Sequence, residues 1–360
     1  MKPSLARQAG FSLVELMVAL TLSLFVIVAV SASYLSGRQA SRKLEERIAL
    51  QQDARLALAT LSRDLRMAGV FGCAVPAMSN LERSGPSGVT LREGVAIHQH
   101  FTPEDDTEAF DPHGPLGFRT VAASGSSWMK NAAVAATGPM LVVQFGQGTA
   151  AVVDSQPKVG GSGTVSLTRL DTLPPAERGL SGNARLLAIG SCSRLDFVKV
   201  GQNGVVRGAS AGIQLTFPAS AALTVGQANG AHRWGSLDVM RFVSRAYVAG
   251  SYQGRQGLYM YERAENGSLV GPVEIAANVS RIAVEFGTIN ACQGAGAATK
   301  ITYSTSPADW RTVDLVRLLI TVESPPSSNT PATSRQYGTT IAVRGSNLCV
   351  NQAKVLGEAS

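Results

Sequence analysis

The chain has 360 residues, 45% of them hydrophobic and only 16% charged, with a formal net charge of +7. Soluble cytosolic proteins carry about 25% charged residues, so the composition points away from that class. The bases are spread along the chain without interleaved aromatics, which argues against a nucleic-acid face. The 37 glycines suit turns and short strands, not a helical bundle.

The first element is "RQAGFSLVELMVAL", residues 7–20. Lys2 and Arg7 precede it with no acid between them, and residues 16–35 then run without a charge. At ~1.5 Å per residue such a helix covers ~30 Å, the thickness of a bilayer's hydrocarbon core. The basic flank predicts a cytoplasmic N-terminus with the rest of the chain across the membrane. A secretory signal peptide would be cut after its apolar core, near Ser31-Ala32-Ser33. Here the apolar run continues into further helix, and the small-residue step Gly10-Phe11 stands before the core.

"GFSLVEL", residues 10–16, resembles the type IV prepilin signal at every position. In that family a basic leader ends in Gly, Phe usually follows, and Glu stands fifth in the mature chain. The resemblance implies that a membrane aspartyl prepilin peptidase cuts after Gly10 and N-methylates Phe11. Gly10 offers the protease a peptide bond with no side chain to clash. Glu15 costs roughly 2.5–3.5 kcal/mol deep in lipid. Pairing with the Phe11 amine of a neighbouring subunit would recover much of that and set the register between helices. The competing account is a Glu that snorkels to the headgroups.

Residues 37–69 contain no proline, and Ala54, Leu58, Leu61, Leu65 and Ala68 recur at spacings of 4, 3, 4 and 3. This is one face of an amphipathic helix, and Leu44 and Ile48 begin a similar stripe. Arg38, Arg42, Glu46, Arg55 and Arg63 fall on other faces, with Arg42 and Glu46 spaced to pair. Gly69 is placed to cap the end. One helix of about 50 residues is predicted, its second half laid on a globular body.

After Gly69 the signals change to turns and short strands. Strands are predicted at 140–145, 165–170, 194–200, 213–217, 237–248, 257–262, 281–286, 313–322 and 339–343, with the apolar "VDLVRLLITV" as a central one. The fold class is α+β: a long N-terminal helix, half transmembrane and half amphipathic, packed on an antiparallel β-sheet domain. The segments are a leader at 1–10, a transmembrane helix at 11–36, its amphipathic continuation at 37–69 and a β-rich periplasmic body at 70–360. One enlarged β domain and two sub-domains both fit the length.

Cys73, Cys192, Cys292 and Cys349 lack the close spacing of a zinc or redox site. An even number at long separations in an exported chain suggests two disulfides. Three connectivities stay open, as do four free thiols; Cys73–Cys192 with Cys292–Cys349 is the pairing favoured.

The layout is pilin-like, though about twice as long as an ordinary major pilin. "RLALATLSRDLRMAGVFGC" (55–73), "IGSCSRLDFVKV" (189–200), "EIAANVSRIAVEFG" (274–287) and "VDLVRLLITVESP" (313–325) resemble the PilW family of minor pilins. "TINACQGAGAATK" departs from the Asp/Gly-rich turn that family suggests, which leaves a metal-binding loop there in doubt. The resemblance implies a structural, non-enzymatic protein without a cofactor, which primes or caps type IV pilus assembly and indirectly supports adhesion and twitching motility. Its partners would be prepilin peptidase, other minor pilins and the major pilin, the inner-membrane assembly platform, a tip adhesin and membrane lipid. It would start in the inner membrane and end in the fibre, at the tip. A J-like minor pseudopilin of type II secretion is the alternative, favoured less by chain length and cysteine number.

Enzymatic motifs were weighed as well. "GASAG" matches G-x-S-x-G at Ser210, but a strand follows it and no Asp lies between Ser210 and His232, so a membrane-anchored periplasmic hydrolase is only the lesser alternative. "FGQGTAA" matches G-x-G-x-x-A at Gly146, Gly148 and Ala151, followed by Asp171, yet Pro157 and residues 160–163 cannot form the crossover helix. His98, His100 and His113 with Glu104, Asp105 and Asp106 suggest metal ligation only against the commoner reading of a polar loop. The N-x-S triplets at Asn266 and Asn278 read as chance.

Overall fold

The computed structural model describes residues 12–72, 81–84, 90–93, 96–99, 105, 107–108, 117–129, 134–152, 164–167, 185–191, 194–200, 205–207, 213–216, 238–264, 266–290, 300–307, 313–324 and 332–342. It divides into two compact units, Met1–Gln52 and Asp53–Ser360. One helix, α1 (Leu13–Met67), runs through the boundary.

The strands in chain order are β1 (Leu81–Ser84), β2 (Thr90–Glu93), β3 (Ala96–Gln99), β4 (Phe118–Val121), β5 (Ala135–Ala136) and β6 (Met140–Val152). Then come β7 (Thr164–Leu167), β8 (Leu186–Ser191), β9 (Arg194–Lys199), β10 (Val205–Arg207), β11 (Ile213–Thr216) and β12 (Asp238–Tyr252). The last are β13 (Arg255–Arg263), β14 (Leu269–Ala277), β15 (Val279–Asn290), β16 (Lys300–Ser304), β17 (Val313–Glu323) and β18 (Ser334–Ala342). The α+β class expected from the sequence is what the chain adopts. Each predicted strand has a counterpart, but β1, β2, β3, β4, β5, β8, β10, β14 and β16 were not foreseen; β1 falls in a stretch whose residue types read as a turn.

The larger sheet is built on β12. One edge of β12 pairs with β13 and then with β8; the other pairs with β6 and then with β5. β14 flanks β13, β4 flanks β6, and β9 and β3 extend the sheet beyond β8. The pairing is antiparallel except at β3–β9, which is parallel. A second sheet has the order β16-β15-β17-β18, all antiparallel. As expected, β17 is an interior strand. Its alternating burial shows that only one face is fully covered. Two small sheets, β1-β2 and β10-β11-β7, complete the described residues.

Within the body, Ala54, Ala57, Leu61, Leu65 and Ala68 form the buried stripe of α1. Ala57 takes the place expected for Leu58, which is half-buried. Leu44 and Ile48 do not continue the buried stripe; they are 58% and 46% exposed. β12 is covered on both faces. One carries Ala246 and Val248 in a core with Trp128, Met140, Tyr259 and Tyr261; the other carries Arg245 and Tyr247 toward the helix.

Asp64 stands inside the apolar stripe and is 3% exposed. A buried carboxylate is costly unless paired and hydrogen-bonded. The Tyr247 hydroxyl donates to its Oδ2 at 2.5 Å and Arg245 Nη1 at 2.8 Å. Arg245 Nε also donates to Glu262 at 2.7 Å, and Arg241 reaches the other oxygen of Glu262 at 2.5 Å. Burial disfavours the Arg245 charge, but its bonds to Asp64 and Glu262 outweigh this and hold it protonated. Burial, then the Asp64 charge and hydrogen bond, push the Tyr247 hydroxyl well above its usual range.

The helix ends as expected. Gly69 takes φ +68°, the left-handed conformation that glycine adopts without strain. Its N–H donates to the Gln144 carbonyl at 3.0 Å, and the Gly146 N–H donates to the Val70 carbonyl at 2.8 Å. The helix exit is thus stitched to β6. Gly117 must lack a side chain because a Cβ there would lie 2.0 Å from the Gly69 nitrogen.

Asn278, also left-handed at φ +58°, joins three elements. Its N–H donates to Gln256 O and its carbonyl accepts from the Glu323 N–H. Its Nδ2 donates to Asp53 Oδ2 at 2.8 Å. This side chain works as a structural tie, in keeping with a chance N-x-S triplet.

Removing the Asp64 carboxylate strands the buried Tyr247 hydroxyl, while the partly buried Arg245 guanidinium keeps Glu262. Asp64→Ala should cost about 1–3 kcal/mol in chemical denaturation of the purified chain. Burial also raises the Asp238 carboxyl above its ordinary value of 3.8. The folded state then keeps that proton to higher pH than the unfolded chain, so this group's contribution falls as pH rises from 3.8 through the folded value. Asp238→Asn should therefore raise the melting temperature at about pH 7, and the gain should vanish near pH 3, where both states are protonated.

Candidate processing and assembly segment

Helix α1 opens with a hydrogen bond from the Leu16 N–H to the Ser12 carbonyl at 3.1 Å, which puts Ser12 at the N-cap position. Ser12-Leu13-Val14-Glu15 then has the S-x-x-E spacing of a capping box, with Glu15 at its third helical residue. A carboxylate in the first turn also faces the positive end of the helix dipole. The sequence reading missed this signal because Glu15 was weighed only against lipid. Glu15 is exposed. Gly10 and Phe11, the expected cleavage and methylation positions, lie outside the described residues.

The apolar side chains that follow are left uncovered. Leu13, Phe25 and Val30 are 74%, 73% and 62% exposed. The most apolar window of α1 has a mean hydropathy of 2.7 with none of it buried, so the helix is long and apolar enough to cross a membrane. Two of its hydroxyls are satisfied internally: Thr21 Oγ1 donates to the Val18 carbonyl and Ser23 Oγ to the Leu20 carbonyl, both at 2.9 Å. That suits lipid, which supplies no hydrogen-bond partner. Beyond Leu35 come Arg38, Arg42, Lys43 and Arg47, against Glu45 and Glu46. Positive charge therefore flanks both ends of the apolar stretch.

The other candidates have plainer roles. The acidic loop after His100 is ion-paired: Glu108 meets Arg263 Nη1 at 2.8 Å and Lys199 Nζ at 3.1 Å, while Asp105 meets Arg263 Nη2 at 3.2 Å. The two partly buried bases neutralise the buried Glu108, and no group of three metal-ligating side chains gathers among the described residues. His98 lies in β3; His100, His113, Glu104 and Asp106 are outside the described residues. Gly146, Gly148 and Ala151 sit inside the continuous strand β6, so no phosphate-binding turn leads into a helix there. Ser210, Asp171, Cys73, Cys192, Cys292 and Cys349 are also outside the described residues.

Residues 5–31 match the family described as the prokaryotic N-terminal methylation motif. No curated protein and no solved structure matches the chain. If the capping box contributes to the start of α1, Glu15→Gln should retain helicity in detergent and Glu15→Ala should fray the first turn. Amide exchange at residues 14–17 would show the difference, and equal protection in both would remove capping from the account. The motif together with the uncovered apolar helix supports a type IV pilin- or pseudopilin-type protein, bearing a signal of the kind that prepilin peptidase processes.

Proposed function

We propose that this chain is a minor pilin of the PilW type that primes or caps type IV pilus assembly. The observation that carries the reading is the order of the N-terminal parts. A Gly-Phe step precedes, and does not follow, an uncovered apolar helix with an acid in its first turn. Cutting there discards the basic leader and keeps the helix. The chain would enter the inner membrane with its body in the periplasm, lose residues 1–10 and gain a methylated Phe11 amine. It would then be drawn into a fibre through the helix. The new amine is the partner Glu15 lacks in the single chain. An ion pair between subunits would offset the cost of the acid in lipid and fix the helix stagger.

The body supports a structural role. Several of its described charges form ion pairs between elements, and the Asp64–Arg245–Glu262 network ties helix to sheet.

Gly10→Glu should give an uncleaved precursor absent from sheared surface fibres, read by N-terminal sequencing and immunoblot; normal processing would sink the leader assignment. Glu15→Ala and Glu15→Gln should both be cleaved yet incorporate poorly, because both remove the charge. Wild-type incorporation of the Gln form would refute the ion pair. Deletion of the gene should abolish surface pili. Pili retained with loss of secreted enzymes would instead identify a type II secretion pseudopilin.

A further inference from the structure

The apolar stretch of α1 ends in Tyr34 and Leu35, which are 65% and 57% exposed. Tyrosine has an apolar ring and a polar tip, and it collects where hydrocarbon meets headgroups. Tyr34 therefore marks that level on the body side of the stretch. The helix continues through it without a break to Met67, so the height of each later residue is set by the helix rise. Arg38, Arg42 and Lys43 follow, with no acid among them. At ~1.5 Å per residue they stand about 4.5, 10.5 and 12 Å beyond Leu35 along the axis. The first acids, Glu45 and Glu46, come only at about 15 Å. A headgroup layer is about 5–7 Å thick on each side of the hydrocarbon. Helical side chains lean toward the helix N-terminus, which here is the membrane side. Arg38 thus stands in the headgroup layer. Arg42 and Lys43 reach back into it on their long stems, while the acids stand outside.

All three bases are exposed. None forms a hydrogen bond or ion pair with another described residue; Arg42 and Glu46, though spaced to pair, do not meet. Arg38 and Arg42 are one turn apart, so two like charges share one side of the helix and repel. Lys43 lies ~100° further round from Arg42. A protein partner would be met by charges gathered on one face. Charges spread round the helix suit the lipid that surrounds a membrane helix on every side. In the proposed orientation these bases have also crossed the bilayer, against the bias that keeps Lys and Arg on the cytoplasmic side. Charges that oppose insertion and have no partner within the described chain call for one outside it.

We propose that Arg38, Arg42 and Lys43 form a collar that binds the phosphate groups of anionic phospholipids in the leaflet on the body side. A lipid phosphate between Arg38 and Arg42 converts their repulsion into two charge-assisted contacts. The attraction is electrostatic and is worth most close to the charged surface. The collar holds the end of the membrane segment at the headgroup level until the helix is drawn outward. The inference rests on the membrane-spanning part of the proposed function and not on the pilus assignment.

The test uses the full chain in phosphatidylcholine bilayers with a trace of spin-labelled phosphatidylglycerol or spin-labelled phosphatidylcholine. All chains carry Lys2→Gln and Arg7→Gln, which removes the bases at the other end of the helix. Electron spin resonance reads the fraction of label slowed by contact with the protein. Phosphatidylglycerol should be slowed several-fold more than phosphatidylcholine, and added salt should shrink the preference. Arg38→Gln with Arg42→Gln and Lys43→Gln should bring the two lipids level. Arg38→Lys with Arg42→Lys, which keeps the charge, should retain the preference. Equal slowing of both lipids by the intact collar, or a preference that survives the triple Gln variant, would overturn the proposal. So would loss of the preference in inorganic phosphate beyond its loss in chloride of equal ionic strength, which would mark a site for free phosphate. Slowed lipid without a preference sinks the collar alone. No slowed lipid of either kind would sink the membrane-spanning assignment and the collar with it.

Discussion

A carboxylate buried in an apolar helix stripe has to be matched, and Asp64 sets that condition for the body. Had position 64 been apolar, α1 could have rotated or slid against the sheet at modest cost, since alanine and leucine contacts are not directional. The carboxylate removes that freedom. It has two donors, from Arg245 and Tyr247, at neighbouring positions on one face of β12. Arg245 is held in turn by Glu262 on β13, which also holds Arg241. The network thereby links helix, central strand and adjacent strand. Apolar packing supplies adhesion, and the ionic network supplies registry.

The first half of α1 follows a different rule. There the uncovered side chains are apolar and the hydroxyls turn back onto their own backbone. The acid that breaks the pattern sits in the first turn, where free N–H groups and the helix dipole can use it. Glu15 is thus placed where a capping box would use it. The proposed function adds a role between subunits, once a cut after Gly10 creates a new amine.

What could be read in advance follows from the range of the physical signals. The helix, its glycine stop and most of its buried stripe are local and periodic, and they were legible. So were β13, where polarity alternates in "LYMYE", and β17, whose long apolar run marks an interior strand. β8 and β14 were harder. "LLAIGS" is apolar on both faces because it lies inside a two-sided sheet. "LVGPVEIAA" contains Pro272 and glycine, which is tolerable in an edge strand but reads as a turn. The role of Asp64 was not legible because its partners are about 180 residues away in sequence. The processing motif was legible as a pattern of residue types. The capping box overlapping it was hidden by attention to lipid.

The exit of α1 has a mechanical consequence. Helices often pass into sheets through a few unbonded residues, which act as slack. Here the Gly69 N–H and the Val70 carbonyl are already bonded to the backbone of β6. A displacement of the last turn is therefore passed to the body within two residues of the helix end. Within the body, the last turn of α1 and strand β6 therefore move as one piece, without a slack joint between them.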